Sequence, residues 1–253
     1  MNTKNLNFNV IIIAAGPGSR LKPLTNNIPK CLLKIRKKTI LSHQLQVFRR
    51  NYLNNVNLIV GHKKNKLKIK KIKRIENKNY KNNNILNSLF SAKKIIKGNI
   101  IISYSDIIFK NRVLRKLLSS KSDISVMVDK TWKKNYKNRK LHPISEAEKV
   151  IFDKSLNIKK AGKIIDNRKA NGELIGLFKL STTGSRIFKK YFNIAKKKFN
   201  GKKFYSALTF EKAYITDFLN FLVKNNIKIE SNLTAGGWME IDTFEDLERA
   251  QRF

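Results

Sequence analysis

Gly16 and Gly18, in the run Gly16-Pro17-Gly18-Ser19-Arg20-Leu21, follow an apolar stretch and precede Pro23-Leu24-Thr25 and Pro29-Lys30. Glycine lets backbone N–H groups reach phosphate oxygens that a Cβ would hold away. Arg20 and Lys30 supply countercharge for such an anion. Two common phosphate-binding patterns are absent: Leu21 fills the third glycine position of the dinucleotide fingerprint, and no Gly-Lys-Ser/Thr stands at P-loop spacing. A GxG alone reads more readily as a tight turn between strand and helix, but the ordered succession of strand, Arg20, Pro-Leu-Thr and Pro-Lys favours a phosphate site. The second set is acidic. Ser105-Asp106 closes one candidate strand and Asp242 closes the last one. Carboxylates at the carboxyl ends of parallel strands converge on the ligand crevice of an open sheet. Two of them suit Mg2+, a hard cation that takes oxygen ligands together with substrate phosphates. Either aspartate alone reads equally as a cap or turn residue. Glu240, two residues before Asp242, shares its strand face and is either a further metal-side carboxylate or a solvated charge.

Such residues need a scaffold that gathers strand ends, and the chain alternates strand and helix signals accordingly. Residues 7–15 form a short apolar run ending at glycine, as in a strand buried on both faces. Strands are predicted over 56–60, 68–75 (lysine-rich, near an edge), 99–104 and 124–128, with helices over 42–51 (Ser42 as N-cap), 85–96 and 112–118. This rhythm predicts a doubly wound, largely parallel sheet over residues 1–130. Beyond it come short strand-like pieces over 132–171, a strand over 173–180, helices over 183–197 and 205–225, and strands over 227–230 and 238–242. A final helix follows, capped by Thr243 with Asp246 at capping-box spacing. With no linker and no repeat, the expectation is one domain: a nucleotide-binding half, 1–130, and a substrate-binding half, 131–253.

The composition sets limits. Hydrophobic residues make up 41% of the 253, enough for a core. No apolar run approaches the ~20 residues of a bilayer span. Residues 1–6 read neither as a signal peptide nor as a transit peptide. A single cysteine, Cys31, rules out an internal disulfide and fits a reducing cytoplasm. The formal net charge of +38 invites a nucleic-acid reading, with basic residues densest over 63–81. Lysine, asparagine and isoleucine are abundant along the whole chain, however, and no nucleic-acid-binding motif is present. The charge is therefore read as compositional, with a role left open in attracting anionic substrates. His43, His62 and His142 show no metal-ligand spacing and read as structural or surface residues, and Cys31 has no partner for nucleophilic catalysis.

The segment IIIAAGPGSRLKPLTNNIPKCLL resembles the signature of the nucleotidyltransferases that make nucleotide-sugars and CDP-alcohols. The resemblance implies a Rossmann-like α/β fold with a mixed, mostly parallel sheet and a triphosphate held by Ala14, Ala15, Gly16, Gly18, Ser19, Arg20 and Lys30. Pro17 departs from the pattern, since that loop position usually offers an N–H. The segments YSDIIF and WMEIDTFEDLERA match those carrying the family's metal-binding aspartates, here Asp106 and Asp242, with Glu240 beside them and Mg2+ as cofactor. NILNSL resembles the pyrimidine-side stretch of cytidylyltransferases that activate phosphocholine or 2-aminoethylphosphonate, which assigns Asn84 and Ser88 to the base; helix capping is the plain alternative. The run from Asp129 to Leu180 leans to the same branch. In it Lys163 matches the lysine that contacts the acceptor phosphate, with a solvated lysine as alternative. Glu173 is positioned to face an ammonium, and Trp132 or Tyr136 to add a cation–π wall, unless Trp132 is simply packed. The expected partners are CTP or another nucleoside triphosphate and a small phosphorylated acceptor. A homodimer is compatible with this reading. A sugar-1-phosphate nucleotidylyltransferase is the enzymatic alternative, and a basic nucleic-acid-binding protein on an inactive transferase fold is the alternative of another class.

Overall fold

The structure, a computed structural model, describes residues 7–253. The reading of residues 1–6 lies outside the described residues. The apolar strand Phe8–Ala14 is central. It pairs in parallel with Asn55–Val60 on one side and Asn99–Tyr104 on the other. Its side chains alternate between faces: Val10 and Ile12 meet the helices Ile40–Arg50 and Asn111–Ser119, while Ile11 and Ile13 meet Ile85–Phe90, Thr182–Phe199 and Ile215–Lys224. Lys73–Glu76 forms one edge, in parallel with Asn55–Val60. Its charged residues discourage edge-to-edge pairing.

On the far side of Asn99–Tyr104 the sheet turns mixed. Gly172–Leu180, buried along its whole length, pairs antiparallel with Asn99–Tyr104, Ile124–Asp129 and Lys149–Phe152. Ile158–Gly162 forms the other edge, and Glu230–Thr234 runs parallel to Ile124–Asp129. The second half of the chain is thus woven into the sheet of the first. No helix of the described residues is long and apolar enough to cross a membrane.

Several predicted elements differ in extent. The helix expected over 42–51 begins at Ile40, and its N-cap is Thr39, whose Oγ1 accepts from Ser42 N at 3.0 Å. The helix expected over 85–96 ends at Phe90 and gives way to a 3-10 turn, Lys93–Ile95. In the helix expected over 205–225 only Ile215–Lys224 is helical. Ahead of it Ser206 and Tyr214 donate backbone N–H groups to the Asp217 carboxylate, which fixes a turn where a longer helix would run. The strand expected over 227–230 begins pairing only at Glu230. The last strand, Trp238–Glu240, lies outside the main sheet and pairs antiparallel with Ile107–Phe109.

Candidate active site

The strand Phe8–Ala14 and its neighbour Asn99–Tyr104 end side by side, Ile13 opposite Tyr104. The glycine loop leaves the first, and the Ser105-Asp106 turn leaves the second. Gly18 takes φ 62, ψ 40, and a Cβ there would stand 3.0 Å from Lys30 Cβ and 3.2 Å from Thr25 Cγ2. Glycine alone meets both demands without strain. Thr25 Oγ1 donates to Gly18 O at 2.9 Å, and His62 Nε2 lies 3.0 Å from Thr25 O, so the loop is braced from the strand beside it. Gly16, Pro17, Gly18 and Lys30 line a cavity of about 200 Å3 together with Tyr80, Asn83, Ser88 and Asp106. Pro17 stands in this wall without an N–H to offer. Ala14 and Ala15 pack into the core on opposite faces of the sheet, and Ser19 is exposed at the start of a 3-10 turn. These three side chains stand apart from the cavity.

Asn84 and Ser88 are both at the cavity, and each is also engaged structurally. Asn84 Oδ1 accepts from Ile85 N at 2.8 Å as the helix N-cap, and its Nδ2 donates to Lys212 O at 3.2 Å. Ser88 Oγ accepts from Asn77 Nδ2 at 2.8 Å and donates to Asn83 Oδ1 at 3.3 Å. Asn83 was not singled out in the sequence, where it is one asparagine in a run of three.

The second strand pair delivers the acids. Ile107 stands opposite Glu240, and Ile241 N donates to Asp106 O at 2.8 Å, which sets Asp106 against Asp242. Asp242 is then fixed from behind: Asp246 Oδ2 accepts from Asp242 N at 3.1 Å and from Thr243 N at 2.9 Å, the expected capping box turned to this use. The turn carrying Asp106 is held by Gln44 Nε2, which donates to Tyr104 O at 2.8 Å and Ile107 O at 2.6 Å. Lys30 Nζ lies 2.6 Å from Asp242 Oδ1 and 2.8 Å from Asp106 Oδ2. Burial alone would lower the Lys30 ammonium pKa, but Asp106, Asp242 and Glu240 together raise it above its ordinary value. Burial acts to raise Asp242, yet Lys30 and Arg20 outweigh it and hold the carboxyl below the usual range. Glu240 moves the other way, pushed well up by burial and then by Asp242 and Asp106. Arg20 pairs with Asp242 and stands 3.8 Å from Glu146.

His142, read in the sequence as structural or surface, is buried against the acids, with Nδ1 3.5 Å from Asp242 Oδ2 and Nε2 3.6 Å from Glu240 Oε2. Burial, and then Arg139, push it down to about 4, so it is neutral at pH 7. Its distance along the chain from both acids leaves no spacing signal that could have linked them.

Beyond Asp106 a second cavity of about 200 Å3 opens, lined by Arg20, Tyr104, Glu148, Lys163, Glu173 and Tyr214 among others. Lys163 Nζ lies 2.7 Å from Glu146 Oε2 and 5.2 Å from the Tyr214 ring centre. Burial pushes Glu148 up to about 7 and Glu173 up to about 8. Glu173 Oε1 accepts from Tyr136 Oη, while its Oε2 is buried with no hydrogen-bond partner among the described residues. The expected cation–π wall needs correction, because Trp132 and Tyr136 pack behind Glu173 in a cluster with Ala147. The aromatic side chains at the cavity are Tyr104, Tyr214 and Trp238. Gly176, at φ 72, leaves room for Tyr104, whose ring would stand 2.5 Å from an added Cβ.

A glycine loop at the end of a central parallel strand, a lysine shared by two carboxylates and an adjoining polar cavity define an α/β enzyme of the nucleotidyl-transfer class. The chain belongs to the nucleotidyl transferase family, whose model matches residues 9–138. It is similar to a CTP:phosphoglutamine cytidylyltransferase of Campylobacter jejuni, 30% identical over 95% of this chain and 98% of that one. A choline-phosphate cytidylyltransferase of Streptococcus pneumoniae is 26% identical over 66% of this chain and 80% of its own length. The same fold is found in the inositol-1-phosphate CTP transferase from T. maritima, with a TM-score of 0.74, 20% identity and coverage of 98% and 95% of the two chains.

Proposed function

We propose that this enzyme transfers CMP from CTP to a small phosphorylated or phosphonylated amino alcohol and releases pyrophosphate, with Mg2+ as cofactor. The observation that carries the reading is the placement of Lys30, Asp106 and Asp242 between the glycine-loop cavity and the cavity lined by Lys163 and Glu173. The full-length similarity to an enzyme named for CTP supports cytidine as the base. Asp106 Oδ1 is buried without a hydrogen-bond partner among the described residues, and Asp242 holds its two oxygens against the cations of Lys30 and Arg20, a pair of carboxylates that fits a hard dication. Mg2+ held there supplies neutralising charge for the phosphates. The loop N–H groups receive the triphosphate, and Arg20 and Lys30 exchange their carboxylate partners for its oxygens. Lys163 orients the acceptor phosphate for in-line attack on the α-phosphorus. Asn83, Asn84 and Ser88 offer amides and a hydroxyl to the base edge. Glu173, with a free oxygen at the cavity, receives the acceptor's ammonium.

The test is pyrophosphate release across the four ribonucleoside triphosphates, each with phosphocholine, 2-aminoethylphosphonate, phosphoglutamine and glucose 1-phosphate. CTP with an amine-bearing acceptor is expected to turn over fastest. Turnover with glucose 1-phosphate alone would refute the acceptor, and a preference for UTP would refute the base.

A further inference from the structure

We propose that Glu148 joins Glu173 to clamp the acceptor's amino group, and that the two carboxylates select a primary ammonium, with its N–H donors, over a trimethylammonium. The inference rests on the acceptor reading of this cavity and adds to it a second ligand and the degree of N-substitution. Strand pairing sets the two acids side by side: Glu173 stands opposite Lys149, and Leu174 N donates to Glu148 O at 2.8 Å. Both side chains line the same cavity. Neither forms an ion pair among the described residues, because the neighbouring cations are taken: Lys163 Nζ goes to Glu146 at 2.7 Å and Arg139 Nε to Asp246 at 2.6 Å. Tyr136 Oη donates to Glu173 Oε1, and Tyr104 Oη reaches Glu148 Oε2 only at 3.4 Å. Glu173 Oε2 is buried without a hydrogen-bond partner among the described residues. Native interiors rarely leave such an atom unmatched.

A pair of carboxylates short of donors calls for a cation that brings its own. A primary ammonium carries three N–H groups, enough for Glu173 Oε2 and Glu148 together. A trimethylammonium carries none and is held instead by aromatic faces. The aromatic rings here are already engaged. Lys163 Nζ lies 5.2 Å from the Tyr214 ring centre, the Tyr104 ring packs against Phe178 with centroids 5.8 Å apart, and the buried Trp238 donates from Nε1 to Asp129 Oδ2 at 2.8 Å. Burial holds both carboxyls above their ordinary range, and a cation between them favours the charged forms. A headgroup without N–H leaves Glu173 Oε2 buried and unmatched, the situation in which a polar site discriminates most strongly.

Phosphoethanolamine and its N-methyl, N,N-dimethyl and trimethyl (phosphocholine) derivatives keep phosphate and ammonium charge while N–H groups are removed in turn. Calorimetric binding of this series to the full chain, with kcat/KM for pyrophosphate release from CTP measured in parallel, tests the proposal. Affinity is expected to fall along the series, by about hundredfold or more from first to last. In Glu148→Leu, phosphoethanolamine loses about tenfold or more while phosphocholine loses less, so the series narrows. Should the leucine variant fail to fold, Glu148→Gln serves, with a smaller narrowing. Equal or tighter binding of phosphocholine by the wild type overturns the proposal and leaves CMP transfer standing. A series as steep in the variant as in the wild type also overturns it, since methyl bulk or Glu173 alone then sets the order. The expected series without pyrophosphate release upholds the clamp and refutes the proposed reaction, whereas binding of no member overturns the clamp.

Discussion

Glu173 is caught between two roles, one structural and one chemical, and pH separates them. Burial pushes its carboxyl up to about 8, far above the ~4.3 of a solvated glutamate. Near pH 4 folded and unfolded chains both hold the proton, and the group contributes nothing. As pH rises from about 4.5 to about 8 the unfolded chain gives the proton up while the folded chain keeps it. Stability therefore falls across that window and levels beyond it. Glu173→Gln keeps an oxygen for Tyr136 and removes the titration. Its stability relative to the wild type, from denaturant melts, is expected to be higher at pH 8 than at pH 5 by roughly 2 kcal/mol or more. The same variant should raise KM for an amine-bearing acceptor. Identical pH slopes in the two proteins would show that Glu173 is ionised in the fold. The acceptor-side role of Glu173 was implied by the resemblance of the run from Asp129 to Leu180, and the fold brings Glu173 to the cavity. Its buried partner was not implied. Tyr136, and Trp132 behind it, carry the same signal in a sequence whether they line a cavity or back one, and only packing decides.

Gln44 shows how much of the site depends on an element with no chemistry of its own. It lies on the helix Ile40–Arg50, at a position that amphipathic spacing leaves undistinguished, yet its amide holds both carbonyls flanking the Asp106 turn. Gln44→Leu takes that donor from the carbonyl of Ile107 and from that of Tyr104, which keeps Ser103 Oγ at 3.0 Å, at about 1–3 kcal/mol in all. A displaced Asp106 is expected to lower kcat by about tenfold or more, with KM for the triphosphate less affected. Steady-state kinetics beside denaturant melts separate the two effects; normal kcat in a destabilised protein would deny Gln44 any positioning role. The elements themselves were legible where hydrophobic pattern decides, as in Phe8–Ala14, Asn99–Tyr104 and Asn111–Ser119. They were not where a polar side chain overrides the pattern. Asp217 cuts short a helix that periodicity would extend back to Tyr205. Likewise the end of the chain carries a strand signal at Trp238–Glu240, but nothing local says that it pairs with Ile107–Phe109 outside the main sheet. That pairing is what brings Asp242 to Asp106.

Across the whole molecule the charge is +38, while the site itself is a nest of carboxylates held by Lys30 and Arg20. Its substrates are anions, so a field of this sign raises their local concentration and their rate of encounter without touching the chemical step. The field is long-ranged only at low salt, with a screening length of about 10 Å at 0.1 M. KM for the triphosphate is therefore expected to rise several-fold between about 0.05 M and 0.5 M NaCl, while kcat holds steady. The exposed run Lys66, Lys68, Lys70 and Lys71 lies near Tyr80 in sequence but outside the cavity that Tyr80 lines, and so offers a test that leaves the site intact. Replacing the four with glutamine should flatten the salt dependence of KM and leave kcat unchanged. If the quadruple variant keeps the wild-type salt slope, the lysines of that run are a compositional habit of the chain and recruit nothing. If kcat falls instead, these residues act on bound substrate, and the steering argument gives way to direct contact.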